Sequence, residues 1–167
     1  KLVVPRIGVR FRLPSEMNNV AYFGRGPEEN YIDRNAGVSV DLFRTTADEM
    51  YYPYVRPQEN GHRTDTRWLT LSDRKGHSLT IYADQTIGFN ALRNSIEDFD
   101  GEEATQHDYQ WNNRNAEELK HDLSTAQNIK PRQTHINDIT PRDFVEVCVD
   151  MKQMGVGGFD SWGAIPD

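Results

Sequence analysis

The 167 residues are enough for one domain with its own core and short for two. Lys and Arg number 19 against 26 Asp and Glu, a net charge of −7 with no basic stripe to neutralise a row of phosphates, which argues against a nucleic-acid partner. A mean hydropathy of −0.79 lies on the polar side for a folded chain, yet 10% aromatic residues argue against disorder, so aromatic rings must supply much of the burial.

The first element is "RIGVRFRLP", residues 6–14, where Ile7, Val9, Phe11 and Leu13 alternate with Gly8, Arg10 and Arg12. That period predicts a half-buried strand with the aliphatic side inward. "VAYFG", "VSVDLF", "RWLTLSD", "SLTIYAD" and "FVEVCVD" are further strand-type runs, and "RKGH" joins the fourth and fifth as a hairpin turn around Gly76. Between 96 and 115 the polar, acidic "IEDFDGEEATQHDYQWNNRN" reads as a long surface loop from which Tyr109 and Trp111 return to the sheet. "NAEELKHDLS" offers one short helix near 116–123, with Asn115 as its N-cap and Leu119 and Leu123 on one face. A second long connection, carrying Pro131 and Pro141, leads to the last strand. The expected class is all-β, an antiparallel sandwich with at most one short helix.

Nothing reaches the about 18 apolar residues a membrane span needs, and "KLVVPRIG" is interrupted by Pro5 too soon for a signal peptide. A start without Met and an end on "AIPD" read as a piece of something longer. The single Cys148 excludes an internal disulfide and any cysteine-based metal cluster, and leaves cytoplasm and periplasm both open.

Three segments invite a chemical reading. In "YFGRGPEENYIDR", residues 22–34, Gly24, Gly26 and Pro27 end a strand in a tight turn. The third glycine of a dinucleotide loop is missing and Glu28 and Glu29 would repel a phosphate, so the segment reads as a structural turn whose Asp33 and Arg34 pair with neighbours. "YYPYVRPQENGHR", residues 51–63, is stiffened by Pro53 and Pro57 and closed by a turn at Asn60-Gly61, an aromatic strap more in keeping with packing than with a sugar site. In "QMGVGGFDSWG", residues 153–163, Gly155, Gly157 and Gly158 precede Asp160, Ser161 and Trp162, a density of glycine that a plain surface loop rarely needs. Catalytic chemistry finds little support: adjacent pairs such as Glu28-Glu29 point to opposite strand faces, the five histidines fall at no metal-ligand spacing, and Ser161 lacks a nucleophile elbow.

Taken in order, "PRIGVRF", "YFGRGPEENYIDR", "YPYVRPQENGHR", the strand at Arg67-Trp68-Leu69 and "QMGVGGFDSW" resemble the C-terminal domain of large bacterial β-galactosidases of glycoside hydrolase family 2, over nearly the whole of 1–167. The resemblance implies a large antiparallel β-sandwich similar to galactose mutarotases, of which this chain is a partial copy. It implies a separate (β/α)8 barrel holding the catalytic glutamates and any Mg and Na, so that this chain has no catalytic residue, metal or cofactor of its own. A galactoside bound through the parent, the barrel, and further copies of the parent in a homo-oligomer are the expected partners. Trp162 would be the sugar-binding residue, its indole meeting the apolar face of galactose. Gly26 would be the pivot of a loop bordering the active-site entrance. Phe159 stands where the family commonly has an acidic residue. The spacing alone leaves Trp162 open as an ordinary core tryptophan, and a purely structural domain or a free-standing mutarotase-like module remain the alternatives.

Overall fold

The computed structural model describes residues 4–55, 57–99 and 136–156. They fall into two compact units, the larger drawn from residues 4–52, 59–95 and 141–156 and the smaller from 53–55, 57–58, 96–99 and 136–140. The expected helix at 116–123 and the rings of Tyr109 and Trp111 lie outside the described residues, as does the terminal run from Gly157 onward.

The larger unit is all-β and antiparallel, in keeping with the sandwich class. Its strands are β1 (Arg6–Pro14), β2 (Asn19–Gly26), β3 (Ser39–Thr46), β4 (Arg63–Ser72), β5 (Ser78–Leu92) and β6 (Phe144–Gln153). They form one sheet in the order β1-β6-β5-β4-β2-β3, which places the first strand at one edge beside the last. One four-residue helix, α1 (Ala47–Met50), follows β3. Thr46 caps it, accepting from the Glu49 amide while the Glu49 carboxylate accepts from the Thr46 amide, and Ala47 and Met50 are buried.

Apolar alternation sets the core. Val20 and Tyr22 of β2, Leu69 and Leu71 of β4, Phe89 and Ala91 of β5, and Val145 and Val147 of β6 are all buried. The Tyr22 ring is their hub, 5.3 Å from the Phe43 ring and 5.1 Å edge-on to Phe89. Each such ring or aliphatic side chain removed from water contributes roughly 1.5–3 kcal/mol. On the opposite face Leu42, Phe23, Trp68 and Tyr82 stand directly across from one another on the β3-β2-β4-β5 ladders, and Tyr82 is 78% exposed.

Two strands depart from their sequence reading. In β1 the apolar face is covered at one end alone: Phe11 and Leu13 are half-buried, as expected, while Ile7 and Val9 are exposed, Val9 at 62%. Its arginines instead do the pairing: Arg12 stands across the ladder from Glu146 and its Nε lies 2.8 Å from that carboxylate. β5 runs eight residues past "SLTIYAD", through Gly88 to Leu92, where the alternation gives way to a continuous buried run. The hairpin between β4 and β5 is as expected, with Gly76 at φ +94° and Asp73 Oδ1 accepting the amides of Lys75 and His77 at 2.8 and 2.9 Å.

The smaller unit includes two 3-10 turns, Ile96–Phe99 and Ile136–Asp138, and strap residues 53–55 and 57–58, the second turn meeting the strap where the Ile136 amide donates to the Val55 carbonyl at 3.3 Å.

Because Phe89 fills the contact between β5 and the Tyr22 ring, Phe89→Ala is expected to cost about 3–5 kcal/mol. The loss is read as reduced hydrogen-exchange protection of β5 and β6 amides.

Candidate functional site

At the end of the sheet where β2, β4 and β6 run out or bend, three of the sequence motifs meet. β2 stops at Gly26, where a Cβ would sit 2.2 Å from the Tyr22 hydroxyl and 3.0 Å from the Phe43 ring. Only a residue without a side chain lets those rings lie under the turn. Beyond it, residues 27–35 are stitched to the 60–64 segment. The Asn30 amide donates to the His62 carbonyl at 2.8 Å, and its fully buried side chain donates to the carbonyls of Arg25 and Glu28 at 3.1 and 3.0 Å. Asn30 Oδ1 accepts from the Thr64 amide at 3.0 Å and the Thr64 hydroxyl at 2.6 Å. Glu29 uses one carboxylate oxygen for the Gly61 amide and the other for Arg34, both at 2.7 Å. Tyr31, fully buried, stacks on the His62 ring at 5.2 Å, and Arg34 lies over its ring. Arg25 pairs with Asp65 and donates to the carbonyls of Asn35 and Val38.

The terminal motif enters the same cluster. As the chain leaves β6 the Met154 amide donates to the Pro5 carbonyl at 3.0 Å, and the Gly155 amide to the Gln153 side chain at 2.7 Å. Gly155 has φ +91°, and the next amide, Val156, donates to both oxygens of Asp33 at 3.2 Å. Asp33 therefore pairs with a neighbour as its segment's structural reading expects, and so does Arg34.

Beside these loops lies a buried ionic group. Arg6 reaches Glu59 through Nη2 at 3.0 Å and Asp150 through Nε at 3.0 Å, and the His62 Nδ1 stands 3.7 Å from the other Asp150 oxygen. Burial pushes Asp150 up to about 6 despite Arg6, and pushes His62 down to about 3, so the imidazole is neutral. Burial also raises Glu59 and lifts the Cys148 thiol to about 12. His62 and Asp150 line a cavity of 160 Å³ together with Thr64, Gly88 and Gln153. The sequence put no histidine beside a carboxylate in a sugar-processing arrangement, and the fold does join this pair. Its cavity is nevertheless about half the roughly 300 Å³ at which small-molecule sites begin. A larger groove of 780 Å³ lies at the other end of the sheet, against Leu13–Asn19 and the β4-β5 turn, where Asp73 and His77 pair with each other at 2.6 Å. Among the described residues no group of three or more His, Cys, Asp or Glu comes together as a metal would require.

Of the two candidate site residues, Gly26 lies in this loop cluster, and Trp162 lies outside the described residues, six positions beyond the Val156 contact. Sequence reasoning missed Asn30, Glu29 and Asp150. Alternation puts Glu146, Cys148 and Asp150 on one face of β6, but Asp150 lies across from Gly8 and takes its cation from Arg6 at the start of β1, a pairing the strand pattern does not carry.

Asp150 yields a pH test. Its folded-state value lies above the ordinary 3.8, so the fold takes up a proton there before the unfolded chain does, and the cost of the buried charge fades as pH falls from about 6 toward 3.8. Protection of β1 and β6 amides, measured against Asp150→Asn, is expected to improve through that window. A difference that does not change with pH would contradict it.

The family model described as beta galactosidase small chain matches residues 1–167. A beta-galactosidase of Priestia megaterium (strain DSM 319 / IMG 1521) is 34% identical over 161 residues, covering 96% of this chain and 13% of that protein. Beta-galactosidases of Streptococcus thermophilus and of Vibrio cholerae serotype O1 are 31% and 30% identical, over 96% and 95% of this chain and 13% and 12% of theirs. The chain thus spans about an eighth of the length of these relatives. With its whole length matched by one family, and by the segments in which the loop cluster is built, the chain belongs to the beta galactosidase small chain family.

Proposed function

We propose that the chain is the C-terminal sandwich portion of a β-galactosidase and serves its parent by binding substrate and shaping the entrance to the active site. The parent hydrolyses terminal β-D-galactosides with retention, through a covalent glycosyl-enzyme formed on glutamates of a separate barrel. In this reading the chain contributes no catalytic carboxylate, and Mg and Na belong to the barrel. The observation that carries it is the family match over residues 1–167, in which the terminal glycine motif is included.

Trp162 is the sugar platform in this reading. Carbon-bound hydrogens on one face of galactose lie against the indole, whose negative face attracts them while apolar area leaves water, worth ~0.5–1.5 kcal/mol beyond area burial by analogy with other aromatic contacts. The tie between Gly155, Val156 and Asp33 supports it, because a segment held this closely at its base is suited to carrying a side chain toward a ligand. Gly26 borders the entrance as the pivot of its loop. The need for a bare Cα beneath Tyr22 and Phe43 gives that glycine a packing role as well.

An assembly role is the second reading, favoured by the row of Leu42, Phe23, Trp68 and Tyr82 on the open face, which suits packing against another part of the parent or a further copy of it. The two readings separate on one variant of the full-length protein. Trp162→Ala is expected to raise KM for a galactoside by about tenfold and leave kcat less affected, since a platform binds ground and transition states alike. An unchanged KM with altered sedimentation would favour assembly instead.

A further inference from the structure

We propose that Asp33 is the positioning residue of the terminal glycine segment, its carboxylate fixing the direction in which the backbone leaves Gly155 and Val156 and, through it, the placement of Trp162 against the sugar. The proposal rests on the reading of Trp162 as a sugar contact.

The turn that carries Asp33 is itself held on both sides. Tyr31 and Arg34 form a two-residue-tipped bridge, the Arg34 amide donating to the Tyr31 carbonyl at 2.8 Å and the Tyr31 amide to the Arg34 carbonyl at 3.3 Å. Buried Tyr31 anchors one leg against His62, and Arg34 is tied to Glu29 on the other. Asp33 stands at the tip.

Its contact has two parts. Both carboxylate oxygens accept the Val156 amide at 3.2 Å. The same carboxylate occupies the space where a Cβ on Gly155 would stand, 2.4 Å from Oδ1, while Gly155 adopts φ +91°, a conformation that side-chain-bearing residues rarely take. Glycine at 155 is thus required twice, by its backbone angle and by the closeness of Asp33. The Gln153 side chain, accepting from the Gly155 amide, and the Pro5 carbonyl, accepting from Met154, hold the residues just before. Asp33 is the contact in this set that comes from the loop bordering Gly26. It couples the two sequence motifs singled out for the entrance and for sugar binding, 123 residues apart.

The test uses the full-length enzyme and a chromogenic nitrophenyl β-galactoside. Asp33→Ala is expected to raise KM by about threefold to tenfold, bounded by the loss from Trp162→Ala, with kcat within about twofold. Asp33→Asn, which keeps one amide oxygen able to accept the Val156 amide, should fall between the parent and Asp33→Ala. In the double variant Asp33→Ala should add little to the KM of Trp162→Ala, because both act through the same indole. Should Asp33→Ala fail to fold, Gly155→Ala leaves the carboxylate present but drives a methyl group into it, and is expected to produce the same rise in KM. A parent-like KM in Asp33→Ala or Gly155→Ala, or full multiplicative effects in the double variant, overturns the positioning role even where Trp162→Ala behaves as a platform. An unchanged KM in Trp162→Ala alone overturns the underlying reading, and is recognisable because Asp33 is intact.

Discussion

The buried side chain of Asn30 meets four groups from two separate segments: the carbonyls of Arg25 and Glu28 on one side, the amide and hydroxyl of Thr64 on the other. An amide side chain has two donor hydrogens and two acceptor lone pairs, and here all four are used. Each of those backbone groups, left alone in the interior, would cost about 1–3 kcal/mol. The loop after β2 and the start of β4 consequently cannot separate without stranding polar atoms, and the Tyr31–His62 stack, the Glu29 bridge to Gly61 and the Asp33 contact are all arranged around that junction.

From this junction follows a division of labour in the sheet. The middle strands supply aromatic and aliphatic burial around Tyr22, while polar and ionic groups organise the end at Gly26 and Gly155. The ionic group of Arg6, Glu59 and Asp150 ties β1 to β6 and to the 59–62 turn, and neutral His62 fills the space beside it. Buried ions of this kind are poor sources of net stability, and removing one partner is far more damaging than never having had the pair. Their use here fits a region where position matters more than stability.

Strand content was legible in the sequence because alternation is a local property: "VAYFG", "SLTIYAD" and "FVEVCVD" all lie within strands of the sheet. What alternation does not encode is which strand is an edge. In β1 the half-buried reading therefore holds at Phe11 and Leu13 and fails at Ile7 and Val9, and the exposed arginine side also supplies the ion pairs with Glu146. α1 escaped notice because four residues are too few for a 3.6-residue period to show, though the Thr46–Glu49 capping box was present in "TADE". At the loop cluster the motifs themselves were visible, and the density of glycine that a plain surface loop rarely needs has its reason at Gly155 in a positive φ and the closeness of a carboxylate. That the approaching group is Asp33 depends on the meeting of the segments that follow β2 and β6, strands separated in the sheet by β4 and β5, which no local pattern carries.

The central claim is that these loops form a firm seat from which the terminal segment presents an aromatic ring to a sugar held largely by another part of the parent. The most direct measurement is a crystal structure of the full-length protein with galactose bound. The account predicts the Trp162 indole lying flat against the apolar face of the hexose, with Asp33 still holding the Val156 amide. An indole enclosed among sheet side chains, with no sugar in reach, would contradict it.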